Sequence, residues 1–207
     1  MGRQSLATDK AELRKRCHAE RLAIDRAEAE AAAAAVAKRI GEIVDITADA
    51  VVSAYWPLAG ELDPGPALLT LTRRGAAGAL PRVIGHGHPL AFHAWQPDDR
   101  LIEGRFNVME PAADAPTVSP SVLLVPLLAF DRACRRLGHG RGYYDRTLQI
   151  LRASDPDVRA IGVAFAAQEV ERVPHRRSRP DPGHGGHGKT RSTGRHDRAR
   201  AIGKDGL

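Results

Sequence analysis

Apolar residues gather in short blocks along this chain, and the segments between the blocks favour helix. The blocks AVVSAYW (50–56), LAFHAW (90–95), SVLLVPLLAF (121–130) and AIGVAF (160–165) read as strands, with a further short strand inside GALPRVIG (78–85). Residues 9 to about 44 read as helix. Asp9 and Glu12 resemble a capping box at its start, the run Ala31 to Ala35 favours helix, and a break near Ile24 and Asp25 divides it in two. Pro64 to Gly75 reads as another helix, with proline near its start and glycine after its end. Tyr144 to Leu151 carries apolar residues at helical spacing. Strands alternating with helices predict an α/β domain built on a largely parallel sheet flanked by helices. Such sheets bind ligands at the carboxyl ends of their strands, so the loops after Trp56 and Phe130 are where a site is expected.

The pattern stops after Val173. Residues 176–207 are mostly Arg, Gly, His, Pro, Ser and Asp. Large apolar side chains are too few there to offset the entropy of ordering, so this tail is expected to be disordered. It also changes the reading of the charge. The 207-residue chain carries a net charge of +6, and residues 174–207 hold nine Lys or Arg against three Asp. The preceding residues are balanced, so the basicity belongs to the tail and not to the domain. The tail lacks aromatics on which bases could stack, and nucleic-acid binding by it is not expected.

Within the tail, GHGGHGKT (Gly183 to Thr190) fits the phosphate-loop pattern GxxxxGK[ST]. A working phosphate loop needs a hydrophobic strand before it and a helix after it. Here RRSRPDP precedes and RSTGRHDRAR follows, so the match is read as an accident of composition. His184, His187 and His196 have nothing to orient them as metal ligands. Cys17 and Cys134 form no CxxC and indicate neither a disulfide framework nor a zinc site. There is no apolar run long enough to span a bilayer and no apolar signal region at the N-terminus. A reduced, cytoplasmic setting is expected.

RRLGHGRGYYDR (Arg135 to Arg146) is the better candidate for an anion site. Gly138, Gly140 and Gly142 alternate between a strand and a helix, where backbone amides can approach an anion closely and the helix dipole adds to the attraction. Arg136 and Arg141 supply positive charge, and Asp145 in the first helical turn could hold a divalent cation that bridges phosphates. A glycine-rich turn with Asp145 favouring the helix start is the bland alternative.

The longer stretch VPLLAFDRACRRLGHGRGYYDRTL resembles the signature of the 5-formyltetrahydrofolate cyclo-ligase family, also called methenyltetrahydrofolate synthetases. Phe130, Asp131, Arg136, Leu137, Gly138, Gly140, Gly142, Tyr143, Tyr144 and Asp145 match the family pattern, while Leu127 and Cys134 stand where glycines are usual. The resemblance takes in Lys10 and Arg14, then Tyr55, Pro57 and Glu61, LPRV (80–83) and AIGVAFAAQEVERVPH (160–175). It runs from about residue 8 to 175.

The resemblance implies a three-layer α/β fold of the NagB, ribose-5-phosphate isomerase and CoA-transferase type. It also implies an enzyme that turns 5-formyltetrahydrofolate into 5,10-methenyltetrahydrofolate with ATP and magnesium, releasing ADP and phosphate. On this reading Lys10 and Arg14, one helical turn apart, reach the ATP phosphates. Arg136, Leu137, Gly138, His139, Gly140, Arg141, Gly142, Tyr143 and Tyr144 form the nucleotide loop, with Lys10, Arg14 and Arg141 positioning the reacting groups. Asp145 is a magnesium ligand, and Trp56 and Glu61 hold the folate. Asp131 is expected to shape the loop, and Trp95 to pack beneath the sheet. A monomer is expected.

The family pattern fails at one point. After His175 the family continues with an HD pair, whose aspartate is a second magnesium ligand, and then a closing strand; here RRSRPDPGHGGHG follows. Residues 1–175 are therefore read as the cyclo-ligase domain and 176–207 as a separate basic tail, with a reading-frame shift near codon 176 as its suggested origin. Loss of the strand and of the aspartate would leave a sheet edge open and a member that binds folate or nucleotide with little catalysis.

Overall fold

The computed structural model describes residues 2–175 and 199–202. Two helices open the chain, α1 (Gly2–Leu22) and α2 (Arg26–Ile43). They are followed by β1 (Val51–Ser53), α3 (Gly65–Thr72), β2 (Ala77–Val83), β3 (Leu90–Ala94), β4 (Leu101–Glu103), β5 (Met109–Pro111) and β6 (Thr117–Val118). The second half holds β7 (Val122–Pro126), β8 (Ala129–Phe130), β9 (Arg136–Leu137), α4 (Tyr143–Ser154), β10 (Arg159–Phe165) and β11 (Ala199–Ile202).

The break between α1 and α2 falls at Asp25, whose side chain accepts the Glu28 amide at 2.8 Å and caps α2. Ala32, Ala33, Val36, Ala37 and Ile40 recur at helical spacing and form the buried stripe of α2. At the other end of α2, Arg74 Nη1 donates to the carbonyls of Gly41 and Val44 and satisfies acceptors that the helix leaves open.

Among the described residues, seven strands form the main sheet in the order β11-β10-β7-β1-β2-β3-β6. The centre, β10-β7-β1-β2, is parallel, and the pairings to β3, β6 and β11 at the edges are antiparallel. Val52 lies between Gly78 and Val122, and Ser53 between Ala79 and Leu123. One face carries α2 and α3 over Val52, Leu80, Leu124 and Ile161; the other carries Leu148 of α4 with Leu123, Val125 and Ala160. The architecture is α/β, a sheet between two layers of helix. Trp95 is half-buried against the first of these cores. A smaller core joins Leu13 and Cys17 of α1 to Ala129, Leu137 and Val173.

From β1 the chain crosses through α3 to β2; from β7 it crosses through α4 to β10, in the opposite direction along the sheet. The two helices lie on opposite faces, and the connections that leave neighbours β1 and β7 run apart at the carboxyl ends of these strands. This is the switch point at which open α/β sheets form a ligand crevice. The loops after Trp56 and Phe130, singled out from the sequence, follow β1 and β8, and a hydrogen bond between Glu61 and His139 joins the two segments.

Short elements depart from the sequence expectation. The strand expected over 50–56 is confined to Val51–Ser53. The β4–β5 pair, β6 and the β8–β9 hairpin have only two or three residues per strand and give no pattern of their own. A larger correction concerns the tail. Ala199–Ile202 pairs antiparallel with Gly162–Phe165 and covers that edge of β10, so these four residues are neither unstructured nor missing as a strand. GHGGHGKT, Asp181 and Asp197 lie outside the described residues. Among the described residues no helix is long and apolar enough to cross a membrane.

Candidate active site

The loop after β1 is folded by its own hydrogen bonds. The buried Tyr55 hydroxyl donates to the Leu62 carbonyl at 2.6 Å, and the Leu58 amide donates to Glu61 Oε2 at 2.9 Å. Trp56 is left on the surface, 37% exposed. The Glu61 carboxylate turns inward. Its Oε1 accepts from Arg21 Nη1 at 3.3 Å and from His139 Nε2 at 2.9 Å. The Glu61 side chain is 4% exposed, that of Arg21 1% and that of His139 38%. Burial raises the Glu61 pKa, but the bonds from His139 and the Leu58 amide, with the Arg21 charge, outweigh it and hold the group below its ordinary value.

The loop after β7 is built on Asp131, which is buried. Its Oδ1 accepts the amides of Ala133 and Arg135, and its Oδ2 accepts Arg135 Nε at 2.7 Å and the Val173 amide at 2.8 Å. Burial raises the Asp131 pKa, and these bonds, with the Arg135 charge, more than reverse the rise. Beyond β9 the glycine-rich segment lies against α1: Arg14 Nε donates to the Gly138 carbonyl at 2.9 Å. Gly140 has φ +93°, and a Cβ there would meet the Arg14 guanidinium at 3.1 Å. Gly142, at φ +68°, delivers the chain into α4. A side chain at either position would strain the backbone.

The first turn of α4 gathers the remaining candidates. Arg136 is ion-paired with Asp145, whose side chain is 74% exposed. The Arg141 guanidinium lies 3.7 Å above the Phe106 ring, and its carbonyl accepts Arg146 Nη2 at 2.8 Å. Tyr143 packs tilted against Phe106 with ring centroids 6.5 Å apart, and its hydroxyl is enclosed without a partner. Burial pushes the Tyr144 hydroxyl well above its ordinary range, the Glu61 charge pushes it the same way, and Arg136 opposes. Lys10 is half-buried on α1, one turn before Arg14. Glu61, His139, Tyr144, Arg136 and Asp145 thus form one connected group, and Arg14 ties α1 to it. Among the described residues no three His, Cys, Asp or Glu side chains converge as metal ligands would; Asp145 is a single exposed carboxylate.

A sequence profile of the 5-formyltetrahydrofolate cyclo-ligase family matches residues 7–178. The chain belongs to that family. It is 36% identical over 132 residues to the 5-formyltetrahydrofolate cyclo-ligase of Escherichia coli K12, covering 59% of this chain and 69% of that one. It is 33% identical over 132 residues to the Mycolicibacterium smegmatis protein of the same name, covering 60% and 68%. Among solved structures, the Aquifex aeolicus 5,10-methenyltetrahydrofolate synthetase superposes with a TM-score of 0.65 at 30% identity, over 81% of this chain and 83% of that one. The synthetase from Mycoplasma pneumoniae, at 20% identity and a TM-score of 0.61, shares the fold. This chain is an enzyme of the cyclo-ligase family.

Both departures from the family pattern have physical consequences. Leu127 packs over Gly162, where a Cβ would come within 2.7 Å of Leu127 Cδ1. Cys134 adopts φ +59°, the left-handed conformation that glycine takes without strain.

Sequence reasoning missed two residues of the site. Arg21 follows Leu13 and Cys17 at four-residue intervals on the buried stripe of α1. An arginine in a core register is itself a signal that a buried anion faces it. Phe106 sits at φ +65° in the turn between β4 and β5, and no pattern in the sequence links it to Arg141.

Proposed function

We propose that this chain catalyses the ATP- and magnesium-dependent conversion of 5-formyltetrahydrofolate to 5,10-methenyltetrahydrofolate, with release of ADP and phosphate. One observation carries the reading: the hydrogen bond between His139 and Glu61 joins the glycine-rich loop to the loop that bears Trp56. The glycine-rich loop and the loop that carries Glu61 and the exposed Trp56 are therefore neighbours. Phosphoryl transfer to a bound folate demands that proximity.

On this reading Lys10, Arg14, Arg136 and Arg141 neutralise the phosphates. The backbone from Leu137 to Tyr144, with the start of α4, supplies amides and a favourable dipole. Trp56 offers a flat face to the pterin, and Glu61 accepts from its amino and ring N–H groups. Asp145 fits magnesium, since that ion is commonly held by one or two carboxylates plus substrate phosphates. Magnesium bound there would offset the negative charge of the phosphates. A formamide oxygen is a poor leaving group. Its attack on the γ-phosphorus gives an iminium phosphate and releases ADP; folate N10 adds to the activated carbon, and phosphate departs. The protein's part is to position the groups and stabilise charge. We assign this activity to residues 1–175, acting as a cytoplasmic monomer.

The test is ATP-dependent formation of methenyltetrahydrofolate by the full chain. Asp145→Ala is expected to lower magnesium-dependent ATP use by about 100-fold; a near-normal rate would sink the assignment. A second reading, an impaired member that binds folate or nucleotide with little turnover, is favoured by the lack, among the described residues, of any group of three His, Cys, Asp or Glu side chains that could hold a metal with Asp145. Folate binding without turnover in the same assay would select it.

A further inference from the structure

We propose that His139 is a latch on Glu61, which must open before the carboxylate can receive folate, and that nucleotide binding opens it. The inference rests on the reading of Glu61 as the folate carboxylate. An ionised carboxylate only accepts hydrogen bonds, with two lone pairs on each oxygen. Glu61 Oε1 already takes Arg21 Nη1 and His139 Nε2, while Oε2 takes the Leu58 amide. A neighbouring pair of N–H donors, such as the pterin amino group and ring N–H, needs one place on each oxygen. Oε2 has a place and Oε1 has none.

Something must leave Oε1, and the surroundings decide which donor it is. Arg21 lies in the buried stripe of α1 with its side chain 1% exposed, so removing it would strand a charge in the core. His139 is 38% exposed and stands between Gly138 and Gly140, the second at φ +93°. It is the displaceable partner. With His139 in place the Glu61 side chain is only 4% exposed, too little for a substrate to reach.

The latch belongs to the glycine-rich loop, so the two subsites are coupled. Phosphates that draw Gly138, Gly140 and Arg141 toward themselves pull His139 away from Glu61. Nucleotide should then tighten folate binding, and folate should tighten nucleotide binding by the same factor.

The experiment measures 5-formyltetrahydrofolate binding to the full chain by calorimetry, with and without magnesium and a non-hydrolysable ATP analogue. In the wild type the analogue is expected to tighten folate binding about tenfold. His139→Ala should bind folate about tenfold more tightly than wild type without nucleotide, and the analogue should add almost nothing. His139→Gln, which keeps a side-chain N–H donor, should retain the coupling. Equal or weaker folate binding by His139→Ala, or coupling left intact in it, overturns the latch. Trp56→Ala and Glu61→Gln, each checked for folding by thermal melting, separate the two levels. If both bind folate as wild type does, the underlying reading fails. If both lose it and His139→Ala gains nothing, only the latch fails.

Discussion

Two buried acids anchor the two loops of this site, and their partners differ in kind. Asp131 accepts four donors, two on each oxygen, from Ala133, Arg135 and Val173. Every lone pair is used within the chain, and nothing remains for a ligand. Glu61 accepts three donors, and one of them comes from the half-exposed His139. A saturated carboxylate is a structural fixture, whereas one held by a removable partner keeps a capacity to bind. Number and exposure of partners distinguish the roles better than burial, which is nearly complete for both side chains.

The largest effect should come from deleting the saturated acid. Asp131→Ala leaves Arg135 without its counter-charge and the amides of Ala133, Arg135 and Val173 without an acceptor. Arg135 is one-third exposed, so the cost falls mainly on the three amides left without an acceptor, about 3 kcal/mol in all. Urea denaturation should show the loss as a lower midpoint at unchanged slope. It should also loosen residues 173–175, because Val173 donates to Asp131 and His175 lies 3.3 Å from Arg135 Nη1. A loss under about 1 kcal/mol would break the comparison, since Asp131 would then be no fixture.

Acid should reveal the same pair more gently. Both groups have folded pKa values below their ordinary ones, 3.8 for Asp131 and 4.5 for Glu61. Each therefore contributes stability that is fully present above its ordinary value and lost as pH falls through its lowered one. Stability measured against pH should begin to decline as the pH drops below about 4.5, where Glu61 leads and Asp131 follows. Asp131→Asn should flatten the lower part of that decline. If the decline in Asp131→Asn is as steep as in the wild type, the acid sensitivity lies elsewhere.

Part of this candidate site was legible before the fold was known, for identifiable reasons. Gly140 and Gly142 are read from sequence because glycine lets backbone amides approach an anion and the strand and helix on either side have clear patterns; both take the positive φ that glycine adopts without strain. Expecting a site after Trp56 and Phe130 needed only the alternation of strands and helices. Long-range pairings were not legible. Arg21 meets Glu61 forty positions away, and His139 meets it seventy-eight positions away. Gly104 has a neighbour no local rule suggests: a Cβ there would collide with the buried carboxyl of Glu110, which pairs with Arg82 and accepts the Val83 amide. The strand Ala199–Ile202 was hidden because its four residues sit in a segment whose composition argues against any core.

The smallest effect tests how firmly the Asp131 turn is held. Cys134 closes that turn, its amide donating to the Asp131 carbonyl at 2.9 Å, with φ at +59°. A non-glycine residue costs about 1–2 kcal/mol in this conformation. Cys134→Gly removes that cost and returns about 0.4–1 kcal/mol as added freedom of the unfolded chain. A net gain of about 0.5 kcal/mol is expected, read as a slightly higher denaturation midpoint. The gain should vanish in an Asp131→Ala background, because a turn released from its carboxylate can relax Cys134 without help. Additive effects would show instead that Cys134 is strained independently of Asp131, and that the turn is held by its backbone alone.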